Sequence, residues 1–153
     1  MSRYPIVFGL RDIIQGNGFL AGVAVEGRAL LHEEEGGVWV EGVNPGGFVA
    51  TGHSVAEALE EFRRSYTAIL FDIAEDAESF ESFQEQCQAF FDGSAETPVR
   101  EWEQAVEDVR AGRISADWLG RRSAESPRGI VVARIDEPSV ENNRVEEGAA
   151  LAA

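Results

Sequence analysis

At Ser54 the apolar residues of this chain stop alternating and begin to recur every third or fourth position. Alternation suits a strand and the longer period suits one face of a helix, so a sheet-forming first third precedes a helical stretch. Upstream, residues 4–14 read as extended. Gly16-Asn17-Gly18 is a turn signal, because Gly and Asn accept positive φ at little cost. Residues 19–25 follow as a second strand and close a hairpin. Gly27 marks a bend before residues 28–32, and Glu33-Glu34-Glu35-Gly36-Gly37 is an acidic turn. Residues 38–43 are rich in strand formers, Asn44-Pro45-Gly46-Gly47 interrupts them, and Phe48–Thr51 resumes the strand.

Downstream, Ser54 and Glu57 have the spacing of a capping box. The Ser hydroxyl accepts from a first-turn amide while the Glu carboxylate reaches back to the Ser54 amide. Val55, Ala58, Leu59, Phe62, Tyr66, Ile69, Leu70 and Ile73 then form one apolar stripe. Glu60 stands four residues before Arg64, the favourable order for a helical ion pair. Phe80, Phe83, Cys87, Phe90 and Phe91 predict a second helix ending at Gly93. Thr97-Pro98 opens a third, striped by Val99, Trp102, Val106 and Val109 and stopped by Gly112. Ser115–Leu119 suits one helical turn, 123–128 a loop, and 129–135 a strand. The expected fold is α+β: an antiparallel meander of four or five strands, amphipathic helices packed on one face, and a late C-terminal strand. One domain spans 1–137, with its core at 29–72, a helical extension at 73–122 and the strand at 129–135. Residues 138–153 read as a flexible tail.

Charge narrows the functional classes. The chain has 153 residues and a net charge of −15, and all 13 of its basic residues are Arg. Residues 54–92 alone carry −8. A nucleic-acid binder needs a basic footprint to displace counterions, and an anionic membrane surface needs the same, so neither is expected as a direct partner. A basic protein is favoured instead. The same acidity also suits solubility in a salty cytoplasm. No apolar run reaches the roughly 20 residues of a membrane span, and Arg11 and Asp12 cut the apolar stretch Ile6–Leu10 too early for a secretory leader. A single cysteine, Cys87, fits a reducing cytoplasm.

No residue pattern announces catalysis. The glycines match neither phosphate-binding spacing, and no paired-Cys or His-x-x-x-His metal signature occurs. His32 and His53 stand alone in sequence, and His53 reads as a turn residue. Cys87 lies on an apolar stripe beside Glu85, Gln86 and Gln88, a setting for a core thiol rather than a reactive one. Ser54 is accounted for as a cap. A metal-dependent nuclease would need several of Asp12, Glu26, Glu41 and Asp72 to meet in one cleft. Trp39, Trp102 and Trp118 read as core or interface anchors. The stretch 108–122 carries four Arg but no second amphipathic helix after Gly112, so no helix-turn-helix is read. The expectation is therefore a non-enzymatic protein without metal or cofactor.

Residues 29–71 resemble the HicB-like antitoxin family. The likeness rests on 37–59, where a strand ends near Pro45-Gly46, a short strand follows, and Gly52-His53-Ser54 opens a Glu57-Ala58-Leu59 helix. The sequence departs from the family in three places: Gly47 stands where Cys is frequent, His53 where Asp is usual, and Pro45-Gly46 lies one residue too far from the cap. The resemblance implies a partial RNase H-like fold and a prokaryotic antitoxin that occludes a small basic ribonuclease. The charge-bearing residues expected to meet such a partner are Glu33, Glu34 and Glu35 in the turn and Glu57, Glu60 and Glu61 on the helix. Antiparallel edge strands also suit a homo-oligomer. Three other functions stay open: an acidic mimic of nucleic acid, a divergent metal-dependent hydrolase, and an oligomeric scaffold of the same fold.

Overall fold

The computed structural model describes residues 2–136 and 148–152. The chain runs β1 (Ser2–Gln15), β2 (Leu20–Glu34), β3 (Gly37–Asn44), β4 (Gly46–Gly52), α1 (Val55–Asp76), α2 (Phe80–Asp92), α3 (Glu96–Arg110), β5 (Gly120–Arg122), β6 (Gly129–Arg134) and β7 (Gly148–Ala152). The expected α+β meander is present: β1 to β4 are antiparallel neighbours in chain order.

The first hairpin is longer than its sequence suggested, because β2 does not bend apart at Gly27. It pairs with β1 from Leu20 to Glu33. Along its other edge it pairs with β6 through Glu26 and with β3 from Arg28 onward. Gly27 is the hand-over point. A Cβ there would lie 2.4 Å from the Asn44 carbonyl oxygen and 2.5 Å from Phe8 Cζ, so only glycine fits. The two-residue turn Glu35-Gly36 joins β2 to β3, with Gly36 at φ 94°. The β3–β4 connection at Asn44-Pro45 holds a cis peptide and a register shift.

Apolar alternation places Tyr4, Ile6, Phe8, Leu10 and Ile14 of β1 on one face with Val23, Val25, Ala29 and Leu31 of β2. Helices α1 and α2 cover that face. Residues Ala58, Phe62, Tyr66, Leu70 and Ala74, each four apart, are the buried row of α1. Phe62 meets Phe8 edge-on at 5.1 Å and stacks on Phe48 at 4.7 Å. The capping box forms: Ser54 Oγ accepts from the Glu57 amide at 3.2 Å, and Glu57 Oε2 accepts from the His53 amide, one residue earlier than expected. Helix α1 ends at Asp76, and Ser79 caps α2 by accepting from the Ser82 amide. Two separate helices therefore form here, as the sequence predicts. Asn17, in the β1–β2 loop, donates to the carbonyls of Glu75 and Ala77 and closes the end of α1.

The expectation of helices on one face holds for α1 and α2 but not for α3. Trp102, Ala105 and Val106 of α3 pack on the opposite face against Val7, Leu30, Val43 and Ala152. Trp102 Nε1–H donates to the Ile6 carbonyl at 3.3 Å, and the Arg28 guanidinium lies 4.4 Å from its ring centroid. The physical reason lies in β1, where Tyr4 to Leu10 are buried without interruption. A strand buried on both faces needs cover on both.

Three further elements differ from expectation. Residues 120–122, assigned to the helical extension, form β5. Residues 148–152, assigned to the tail, form β7 between β1 and β5. There Leu151 enters the α1 side of the core and Ala152 the α3 side, because alternating small residues fit a strand squeezed between two covered faces. The remaining tail residues 137–147 and Ala153 lie outside the described residues. The 129–135 strand is β6, one residue shorter than expected. No helix among the described residues is long and apolar enough to cross a membrane.

Candidate functional site

Two acid-bearing regions sit toward the same end of the sheet. The first is the β2–β3 turn. Glu34 pairs with Gly37, so Glu35 and Gly36 form the tip, and Gly52 at the end of β4 lies opposite Val38. A Cβ on Gly52 would come within 2.6 Å of the Ala58 amide nitrogen, so the first turn of α1 rests directly on that strand end. The register therefore brings Glu33, Glu34 and Glu35 to the end of the sheet at which Glu57 enters α1.

The six acids are not equivalent. Glu57 is spent on its cap. Glu60 and Glu61 both accept from Arg64, Glu60 at 2.9 Å. Glu34 and Glu35 are exposed, and none of Glu33, Glu34 and Glu35 has a hydrogen bond or ion pair among the described residues. Among these six acids, the uncompensated charge lies in the turn.

The second region lies just behind the turn, on the α3 face. Cross-strand pairing sets Arg3, His32 and Trp39 in a row across β1, β2 and β3, and Glu41 follows Trp39 on the same face. Helix α3 adds Glu101 from above. His32 is the one buried polar or charged residue among those described, at 6% exposure. Its ring stacks on Trp39 with centroids 4.9 Å apart and planes 9° from parallel. His32 Nε2 lies 3.3 Å from Glu41 Oε1, while Nδ1 is buried without a partner. Arg3 reaches Glu101 only at 3.9 Å. One donor atom each from His32, Glu41 and Glu101 falls within a common 4.8 Å.

The carboxylates considered for a nuclease do not converge. Asp12 faces α1 and accepts from Thr67. Glu26 meets Arg122 at 3.7 Å, and Asp72 is exposed on α1. Of the four, only Glu41 joins a cluster. Cys87 is fully buried, and burial pushes its thiol up to about 12. Burial also raises the Tyr66 hydroxyl, which has no hydrogen-bond partner. Neither group is poised for nucleophilic chemistry at neutral pH. His53 is exposed and contributes only its amide, to the cap. Trp102 is a core anchor, Trp39 is half-buried on His32, and Trp118 is exposed with one edge contact to Tyr4.

Sequence reading placed both histidines outside any site. The signal for His32 was nonetheless present: a two-residue turn at Glu35-Gly36 forces His32 opposite Trp39 and Glu41 onto their face. Nothing local to residue 101 signals that α3 would cross the sheet there. No protein-family model, curated protein or solved structure matches the chain.

Proposed function

We propose that this chain is a non-enzymatic protein-binding module, which docks an acidic surface on a small basic protein and occludes its working face. In the manner of the HicB-type antitoxins that residues 29–71 resemble, the partner would be a small basic ribonuclease. The observation that carries this reading is the register. It gathers the unpaired Glu33, Glu34 and Glu35 beside the entry of α1, at one end of a chain with net charge −15. Clustered charge of one sign raises the encounter rate with a partner of the other sign and suppresses wrong partners. Glu60 and Glu61 carry less of this role than the turn acids, because both already share Arg64.

The test is capture of a partner from native host lysate at roughly 0.05 M and 0.5 M salt, between which the screening length falls from about 14 Å to about 4 Å. The wild-type chain is compared with the triple variant Glu33→Gln, Glu34→Gln, Glu35→Gln. The expected result is one small basic protein retained at low salt, released at high salt and lost by the triple variant. Purified, that protein should regain its activity when the chain is removed. Recovery of the chain alone as a defined oligomer at both salts overturns the reading, as does capture that the triple variant leaves unchanged.

A further inference from the structure

We propose that His32, Glu41 and Glu101 form a binding site for one divalent transition-metal ion of the Zn²⁺ type. The three come from β2, β3 and α3, and their donor atoms lie within 4.8 Å of one another. Convergence from three elements is unlike the chance proximity of exposed acids along one helix. The histidine separates this cluster from a patch of carboxylates. Its imidazole is buried and held flat on Trp39, with Nε2 directed at Glu41 and Nδ1 without a hydrogen bond. A core histidine normally satisfies both nitrogens. This one faces two carboxylates and satisfies at most one.

Charge argues the same way. The Glu41 and Glu101 side chains are only 30% and 36% exposed, so both carboxylates are partly withdrawn from water. Arg3 stands 3.9 Å from Glu101 and supplies one positive charge at long range. With a neutral imidazole the pocket is left net negative, a state that partial burial disfavours. A dication shared by the three donors balances it. The alternative is a hydrogen bond between His32 Nε2 and Glu41 with no ion, and the experiment below separates the two.

Donor type selects the ion. One imidazole nitrogen with two carboxylate oxygens suits Zn²⁺, Co²⁺ or Mn²⁺, whereas Ca²⁺ and Mg²⁺ prefer all-oxygen sites. Bonds of about 2.0–2.2 Å put neighbouring tetrahedral donors roughly 3.4 Å apart. The 3.3 Å between His32 Nε2 and Glu41 Oε1 already matches that spacing. Glu101 closes the remainder by a small rotation of a side chain that, among the described residues, has only its long contact with Arg3. Three protein donors leave a fourth position toward solvent, where water completes the shell. A bound ion would tie the β2–β3 hairpin to α3.

The experiment is titration of the untagged, chelator-treated chain with Zn²⁺ by calorimetry and with Co²⁺ by visible absorption. Three variants accompany it: Glu101→Gln, on a partly exposed helix position; Glu41→Gln; and the turn variant Glu33→Gln, Glu34→Gln, Glu35→Gln. Circular dichroism checks that each is folded. The expected result is one Zn²⁺ per chain at micromolar affinity or tighter, and a Co²⁺ band that excess Mg²⁺ does not displace. Glu101→Gln should weaken binding about tenfold or more, and the turn variant should change it little. Absence of saturable binding overturns the proposal and leaves the cluster as a hydrogen bond between His32 and Glu41. Binding that Mg²⁺ displaces, or that the turn variant weakens as much as Glu101→Gln does, overturns it in favour of diffuse attraction to an acidic surface.

Discussion

Replacing Gly27 by Ala tests whether β2 really serves two partners through one crowded residue. Gly27 lies opposite Phe8, at the point where the free edge of β2 passes from β6 to β3. The new methyl would sit 2.4 Å from the Asn44 carbonyl oxygen and 2.5 Å and 2.7 Å from two Phe8 ring carbons. Carbon atoms rest at about 3.5–4.0 Å, so the ring contacts fall short by roughly 1 Å. Neither neighbour yields easily. Asn44 presents backbone next to Pro45, and the Phe8 ring is 3% exposed and packed edge-on against Phe62 and Tyr66. Overpacking of a tight site costs about 1–3 kcal/mol, and pinned partners put this one toward the upper end. Reduced freedom of the unfolded chain returns about 0.4–1 kcal/mol. The net expectation is a loss of about 2 kcal/mol, which for a chain of this size lowers Tm by about 4–8 °C. Urea unfolding should show a lower midpoint with an unchanged slope. Gly37→Ala is the control, because a Cβ there meets nothing within 4 Å, and it should stay within about 0.5 kcal/mol of wild type. Adding Phe8→Leu should make Gly27→Ala less damaging than it is alone, since the ring is half of the clash. If Gly27→Ala proves neutral or stabilising, β2 does not run straight through residue 27 and the hand-over between β3 and β6 is wrong.

Three further outcomes follow from the same structure. Ser54→Ala removes the acceptor for the Glu57 amide and should cost about 1 kcal/mol in urea unfolding, whereas Ser54→Asp should restore most of it. The Cys87 thiol, raised to about 12 by burial, should resist a thiol reagent at pH 8 in the native protein and react at once in denaturant; fast native labelling would contradict the packing of α2. The hydrogen bond from Arg113 holds the Asp108 carboxyl below its ordinary range, with Gln104 adding to it. A depressed value makes the contribution present above the unfolded-state pKa of about 3.9 and lost as pH falls through the folded one. Carboxyl NMR titration should therefore find Asp108 below the free aspartate value, and Arg113→Ala should move it back toward that value, with Gln104 holding part of the shift.

What could be read in the sequence was whatever is decided locally. The Ser54–Glu57 box and the four-residue recurrence of Ala58, Phe62, Tyr66 and Leu70 need only near neighbours, and α1 follows them closely. The helices ending at Asp92 and Arg110 and the strand at 129–134 were legible for the same reason. Strand β7 was not, because Gly-Ala-Ala-Leu-Ala has little strand preference of its own and is held by its neighbours β1 and β5. The second covered face was missed although its mark was present: Pro5, Val7 and Gly9 are buried along with Tyr4, Ile6, Phe8 and Leu10. Such an unbroken apolar run belongs to a strand covered on both sides, not to one that alternates toward water. Of the six acids expected to meet a partner, three are engaged within the chain, by Arg64 and by the helix cap.

The two faces of the sheet have different capacities. The α1–α2 face is filled by interlocking rings of Phe8, Phe48, Phe62, Tyr66 and Phe90, and the Tyr66 hydroxyl is buried among them without a hydrogen bond. The cluster of His32, Glu41 and Glu101 lies on the other face, which α3 covers. What sets the register of that helix is Trp102, pinned by its indole N–H to the Ile6 carbonyl and by Arg28 over its ring. Glu101 precedes it by one residue and so is delivered to Arg3, Glu41 and His32 by a packing contact that itself does no chemistry. A slip of α3 by one residue rotates its side chains by about 100° and would carry Glu101 away from the histidine. The buried tryptophan and the half-buried glutamate are therefore one device: the apolar anchor fixes where the charge arrives, and any function of the His32 cluster depends on the packing of α3 as much as on its own three side chains.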